Sequence, residues 1–374
     1  MNDKAFNEQR RKFLGTSALV VSGVAMGGSM LMPSLASVAS AKSTASASPR
    51  ATVTVPTVIG YANEKGLTID RVTYSNRNTQ TNIVANLFKP ADFDKNKRYA
   101  AIVVTHPIGG VKEQTAGLYA QKLAEQGFVT LAYDASYQGE SGGEPYLMEL
   151  PSARVDDISC SIDFLSTLPY VDADRIGSLG ICGGGGYVLN AAQTEQRVKA
   201  VATVSAADIG DLRRNGLANS RTYEQRMKLL KEASEQRTRE ARGEPIRLTA
   251  AVPESTKDFT DSTPVMYREG YEYYRTARAQ HPNAPARSVF SSLPAQMAYY
   301  AFEQLETISP RPALMIAGDK ADSLYFSELA YKKTQEPKEL FLVPGASHID
   351  MYDKPQYVTP AVTKLTAFYQ QYLV

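Results

Sequence analysis

Cysteine and histidine are scarce in this chain, at two and three copies in 374 residues, and the formal net charge is only +2. Two cysteines, Cys160 and Cys182, allow at most one bridge, which excludes a disulfide-built scaffold. The small positive balance belongs to the N-terminus, where Lys4, Arg10, Arg11 and Lys12 outnumber Asp3 and Glu8, so the remainder is formally neutral. A neutral body without a basic run offers no footprint for nucleic acid or an anionic membrane surface. No later segment approaches the ~18 consecutive apolar residues of a membrane span, so no stable membrane insertion of the mature chain is expected. What remains is a chain long enough to bury a full core, of the size of a globular enzyme.

The first 41 residues read as a targeting segment. Gln9-Arg10-Arg11-Lys12-Phe13-Leu14 pairs arginines with an apolar start, the stretch to Leu35 is diluted by glycine and serine, and Ala39-Ser40-Ala41 fits a small-x-small cleavage site. This resembles a twin-arginine (Tat) export signal, which implies the Tat translocase as a transient partner and a periplasmic or extracellular location. Lysine at both Arg10 and Arg11 should then leave the uncut protein in the cytoplasm. The alternative is an N-terminal membrane anchor, which the glycines and serines disfavour. Residues 42–56, rich in Ser, Ala and Thr, read as a flexible linker.

From Leu67 to Pro90 the pattern alternates like two antiparallel strands around a turn at Ser75-Asn76-Arg77-Asn78. Apolar runs at Tyr99–Thr105, Phe128–Tyr133, Arg175–Leu179 and Val198–Val204 then alternate with helical spacing at Gln114–Gln126, Arg154–Leu168 and Gly185–Ala192. Strands apolar throughout and separated by helices predict a parallel sheet covered on both faces. The alternation stops over 206–309 and returns with strands at Ala313–Ala317 and Glu339–Val343 and helices near Phe326–Thr334 and Pro360–Tyr372. The expected architecture is therefore a mostly parallel α/β core over 57–205 and 310–374, interrupted by a helical cap at 206–309.

Chemistry concentrates at Gly180-Ile181-Cys182-Gly183-Gly184, between a strand and a helix. This is the G-x-nucleophile-x-G elbow with cysteine as nucleophile; side chains two residues to either side would collide, hence the glycines. The helix N-terminus behind it favours a thiolate, so a depressed Cys182 pKa is expected, with Cys160 an inert mid-helix thiol and both cysteines free. An α/β-hydrolase places its acid after a late strand and its histidine after the last one. Asp322, with Asp319 as the alternative acid, follows the first of the two late strands, and His348 follows the second. His106-Pro107-Ile108-Gly109-Gly110 ends an earlier strand; because Pro107 has no N–H, the oxyanion donors expected are the backbone N–H groups of Ile108 and Gly183. His106 reads as a brace for this loop and His281 as a surface residue, while tyrosines of the insertion serve either its core or a substrate pocket. No metal cluster, phosphate loop or dinucleotide fingerprint is present, and no cofactor is expected.

These two glycine-bearing segments, together with Asp134-Ala135-Ser136-Tyr137-Gln138-Gly139-Glu140-Ser141, resemble the dienelactone-hydrolase-related branch of the α/β-hydrolases from Ile69 onward. The closer likeness is to its capped members, which include fungal polyketide acyltransferases; compact members lack a long insertion. The resemblance and the residues together imply a small-molecule acyl substrate, an ester, lactone or thioester, hydrolysed through an acyl-thioenzyme. Acyl transfer by the same residues, or a non-catalytic binding protein on the same fold, are the alternatives.

Overall fold

The computed structural model describes Ala51 and residues 57–374, so the expected export signal (1–41) and, apart from Ala51, the expected linker (42–56) lie outside the described residues. The chain enters the sheet through β1 (Thr68–Ser75) and β2 (Asn82–Lys89), paired antiparallel from Thr68↔Lys89 to Ser75↔Asn82. Their connection is set by Asn76, whose side-chain oxygen accepts from the N–H groups of Asn78 and Thr79, the local bonding that makes asparagine a turn residue.

β3 (Tyr99–Thr105), α1 (Thr115–Ala124), β4 (Val129–Tyr133), α2 (Pro151–Ser166), β5 (Val171–Ile181), α3 (Gly183–Thr194) and β6 (Ala200–Val204) follow in strict alternation. After the insertion come β9 (Ala313–Gly318), α8 (Leu324–Lys333), β10 (Lys338–Val343), the short α9 (Asp350–Asp353) and α10 (Pro355–Tyr372). The eight strands form one sheet in the order β1-β2-β4-β3-β5-β6-β9-β10, parallel from β4 to β10, as the apolar runs require. Ile102, Val103, Val104, Leu179 and Ile316 are fully buried between helices on both faces. Each such side chain contributes roughly 1.5–3 kcal/mol by leaving water, and the parallel arrangement places the loops after β3, β5, β9 and β10 at one sheet edge. That edge holds the site.

The insertion is not purely helical. It contains α4 (Ile209–Asn215), α5 (Tyr223–Ala241), α6 (Val265–Arg275) and α7 (Leu293–Met297), but also an antiparallel pair, β7 (Leu248–Ala250) with β8 (Arg287–Val289). Strands of three residues are too short to show a period in sequence, which is why only helices were expected there. α5 starts on a capping box between Thr222 and Gln225 and buries only Ala233 and Gln236, with Ala233 packing against Phe290, Leu293 and Met297 in a small core of the insertion's own. No helix among the described residues is long and apolar enough to cross a membrane.

Candidate active site

Cys182 joins β5 to α3 at φ +55° and ψ −122°, a conformation that costs a non-glycine residue of order 1–3 kcal/mol. The fold holds it there: its N–H donates to the Val204 carbonyl, and its own carbonyl accepts from Gly185 and Ala207. The flanking glycines are sterically required. A Cβ on Gly180 would come within 2.2 Å of the Gly184 carbonyl oxygen, and one on Gly184 within 2.4 Å of that of Thr105. The cysteine sulfur faces the Tyr352 hydroxyl and the Gly183 N–H.

His348 is buried after β10, its Nε2 3.3 Å from that same Tyr352 hydroxyl and its Nδ1 2.5 Å from Ser323 Oγ. The structure thus lines up Cys182, Tyr352, His348 and Ser323. Burial alone lowers the imidazole to a pKa of about 4. Burial likewise pushes the Cys182 thiol up, outweighing the Tyr352 hydroxyl and the Gly183 N–H. This corrects the expectation of a depressed thiol pKa: the helix N-terminus does not offset desolvation, and the resting pair is neutral thiol and neutral imidazole.

The two candidate acids sit differently. Asp322 Oδ2 accepts from the Met266 N–H at the start of α6, while its Oδ1 is buried without a partner. The partner of His348 Nδ1 is Ser323 Oγ, next in sequence, rather than the Asp322 carboxylate expected there. Asp319 Oδ1 accepts from the Gly345 N–H at 2.7 Å and so ties the loop after β9 to the loop after β10. α6 also reaches the histidine loop through Ser347, which donates to Glu269 at 2.5 Å.

The oxyanion loop follows β3. Gly109 has φ +71°, and the side chain of Ile108 lies against Gly183, so the two residues expected to donate pack against each other. His106 braces the loop: its Nδ1 meets the Pro107 carbonyl, its Nε2 accepts from the Ala135 N–H, and its carbonyl accepts from Arg154 Nη2 at 2.6 Å. Burial keeps it well below the usual histidine range, hence neutral. His281 is half-buried rather than a plain surface residue, accepting from the Asn283 N–H. Cys160 and Cys182 are both free.

Residues 84–209 match the Dienelactone hydrolase family. The chain is also 43% identical over 306 residues to "Uncharacterized protein YcjY" of Escherichia coli K12, spanning 81% of this chain and 99% of that one. The chain belongs to the dienelactone hydrolase family of α/β-hydrolases. The crystal structure of hypothetical protein PA2218 from Pseudomonas aeruginosa superposes with a TM-score of 0.78 at 37% identity, covering 83% of this chain and 96% of that one. At 27% identity over 258 residues, 68% of this chain and 82% of the relative, it is similar to "Polyketide transferase claH" of Penicillium crustosum.

In this family member three residues not singled out in sequence stand at or under the site. Tyr352 lies four residues after His348, a helical neighbour spacing that could have flagged it. Ser323 adjoins the candidate acid but carries no signal of its own. Lys112 anchors the Asp134–Ser141 segment beneath the oxyanion loop: its ammonium lies 2.6 Å from Glu113, 2.8 Å from Asp134 and 2.7 Å from Glu140. Those three carboxylates would be close enough together to hold a metal ion, but the lysine ammonium already takes the place of that cation.

Proposed function

We propose that this protein is a hydrolase of carboxylic esters, lactones or thioesters that works through an acyl-thioenzyme on Cys182. One observation carries the reading: a cysteine at φ +55° on a strand-to-helix elbow faces a hydroxyl that lies 3.3 Å from a buried neutral imidazole nitrogen. With Nδ1 protonated and donating to Ser323, Nε2 of His348 is the free base. It takes the thiol proton through Tyr352, whose hydroxyl accepts from sulfur as it donates to nitrogen. Sulfur attacks the acyl carbon, the carbonyl electrons move to oxygen, and the N–H groups of Ile108 and Gly183 receive that oxyanion. Collapse expels the alkoxide or thiolate, which takes the proton back from the imidazolium. Water, deprotonated by His348, then attacks the thioester and restores the thiol.

During both attacks the imidazole is cationic; in this reading the carboxylate that answers that charge is Asp322, next to Ser323 in sequence and with a buried, unpartnered Oδ1, while Ser323 holds the tautomer at rest. Amide bonds are the poorer substrates, since a thiolate leaves more readily than an amine. The likeness to a polyketide transferase favours one second reading, acyl transfer to a non-water acceptor by the same residues.

Intact-mass measurement after exposure to a panel of activated esters, lactones and thioesters tests the proposal. An acyl adduct on wild-type protein that is absent from Cys182→Ala is expected; adducts on both, or unchanged turnover by Cys182→Ala, would overturn it. Product that forms only when an alcohol or amine acceptor is supplied would establish transfer rather than hydrolysis.

A further inference from the structure

The insertion contains a cavity of about 360 Å³ lined by Arg213, Arg221, Tyr267 and Gln296 together with apolar side chains that include Leu293 and Val252. Arg213 Nε donates to the Gln296 side-chain oxygen at 2.9 Å, and Arg221 donates to the Arg213 backbone carbonyl. Among the described residues, neither guanidinium has an Asp or Glu oxygen within 4.0 Å. Two like charges side by side against apolar walls are costly, and a bound anion would relieve that cost. Burial and the neighbouring Arg213 both act on Arg221 in the direction of a lowered pKa.

The cavity does not include the nucleophile, but one of its arginines stands on a helix that packs beside it. Ile209 and Arg213 stand four residues apart on α4, hence on one face. A Cβ on Gly183 would come 3.0 Å from Ile209 Cδ1, so that face begins on the residue beside Cys182 and reaches Arg213 one turn later. Tyr267 links the two ends, since its hydroxyl senses Arg213 and Arg221 as well as Cys182 and Asp322. A lining that combines apolar side chains with two guanidinium forks suits a carbon chain terminated by a planar oxyanion, because arginine pairs bidentately with a carboxylate.

Resting on the reading that Cys182 is acylated, we propose that Arg213 and Arg221 bind a carboxylate at the far end of the acyl group, making carboxylate-terminated acyl chains the preferred substrate class. The compact αβ core supplies the chemistry, and the insertion supplies this selection.

Two measurements test it together. The first is the ratio of kcat/KM for an aryl half-ester of adipic acid to that for the same ester with its free carboxylate methylated. A half-buried charge-assisted pair predicts a ratio of about 10 to 100 for the wild type, falling as salt is raised. Arg221→Gln should cut the ratio about tenfold and Arg221→Lys should keep part of it, with Arg213→Gln as the second probe if Arg221→Gln folds poorly. The second is calorimetric binding of adipate to Cys182→Ala, which needs no turnover. A ratio near or below one, or adipate binding unchanged by Arg221→Gln, overturns the inference. Should neither ester be hydrolysed, the acyl-thioenzyme reading falls, while adipate binding still decides the arginine site.

Discussion

Two buried polar clusters stand at the same edge of the sheet and respond to burial in opposite ways. Around Lys112, desolvation works against the ammonium, yet Asp134 and Glu113 outweigh it and hold the lysine above its ordinary range. Around Cys182 and His348 desolvation prevails: at the thiol, Tyr352, the Gly183 N–H, Arg154 and Arg213 offset it only in part, and burial leaves imidazole and thiol neutral. Burial therefore does not set the charge of a site; the presence of a counterion does. The charged cluster fixes the oxyanion loop in place, and the neutral one keeps a base and a nucleophile ready to become charged only during reaction. Placing a rigid, satisfied network beside an unsatisfied one is how a scaffold can hold a reactive group still.

The sharpest way to break this contrast is to remove the charge that the reaction calls in. Asp322→Asn is expected to lower turnover by up to about four orders of magnitude, the cost of losing the carboxylate of a triad. Ser323→Ala should cost far less, because it removes a resting hydrogen bond and no charge, and Asp319→Asn should act only through the loop tie to Gly345. Steady-state kinetics on the three variants gives the ranking. If Ser323→Ala were the most damaging, the imidazolium would be stabilised without a carboxylate, and the role given to Asp322 would be wrong.

The next effect is on stability, at the charged cluster. Lys112→Met keeps most of the volume but takes the ammonium away from Glu113, Asp134 and Glu140, while the Arg71 guanidinium, 3.0 Å from Glu140, and the backbone N–H groups on Asp134 stay in contact. Breaking a buried pair by deleting one partner costs roughly 3–5 kcal/mol, read from denaturant midpoints at pH 7. The loss should shrink as pH falls and the carboxyls protonate. A variant as stable as wild type would mean that this network does not hold the oxyanion loop.

The two clusters also differ in how far their residues could be read in advance. The alternation of buried strands and helices, the elbow glycines and the positions of Asp322 and His348 after successive strands all follow from local patterns, because each is written in one continuous segment. Tyr352 between sulfur and imidazole, Ser323 on Nδ1, and Asp322 turned to the Met266 N–H depend on side-chain rotamers and on the docking of α6. Residue spacing does not carry that information. The Asp134–Ser141 segment was visible as a motif, but its ion pairing arises where it meets Lys112, 22 residues earlier in the chain. Inside the insertion, three-residue strands left no period to read.

The smallest expected effects concern proton affinity and follow the sign of the two shifts at the neutral cluster. His348 acts as a base when neutral, and its pKa is lowered to about 4, so the acid limb of kcat/KM due to this histidine should fall near pH 4 rather than near the ordinary value of about 6.5. The same shift makes the folded state bind fewer protons than the unfolded chain between those values. The stability it contributes is therefore complete above pH 6.5 and is lost as pH falls through about 4. For Cys182 the shift is upward, so at pH 7 iodoacetamide should alkylate it more slowly than a free cysteine, and the rate should still be climbing above pH 9. Cys160, also raised by burial, serves as the internal comparison when both sites are followed by peptide mass. An alkylation rate at Cys182 that levels off below pH 7 would mean that a thiolate and imidazolium already coexist at rest, and the contrast between the two clusters would disappear.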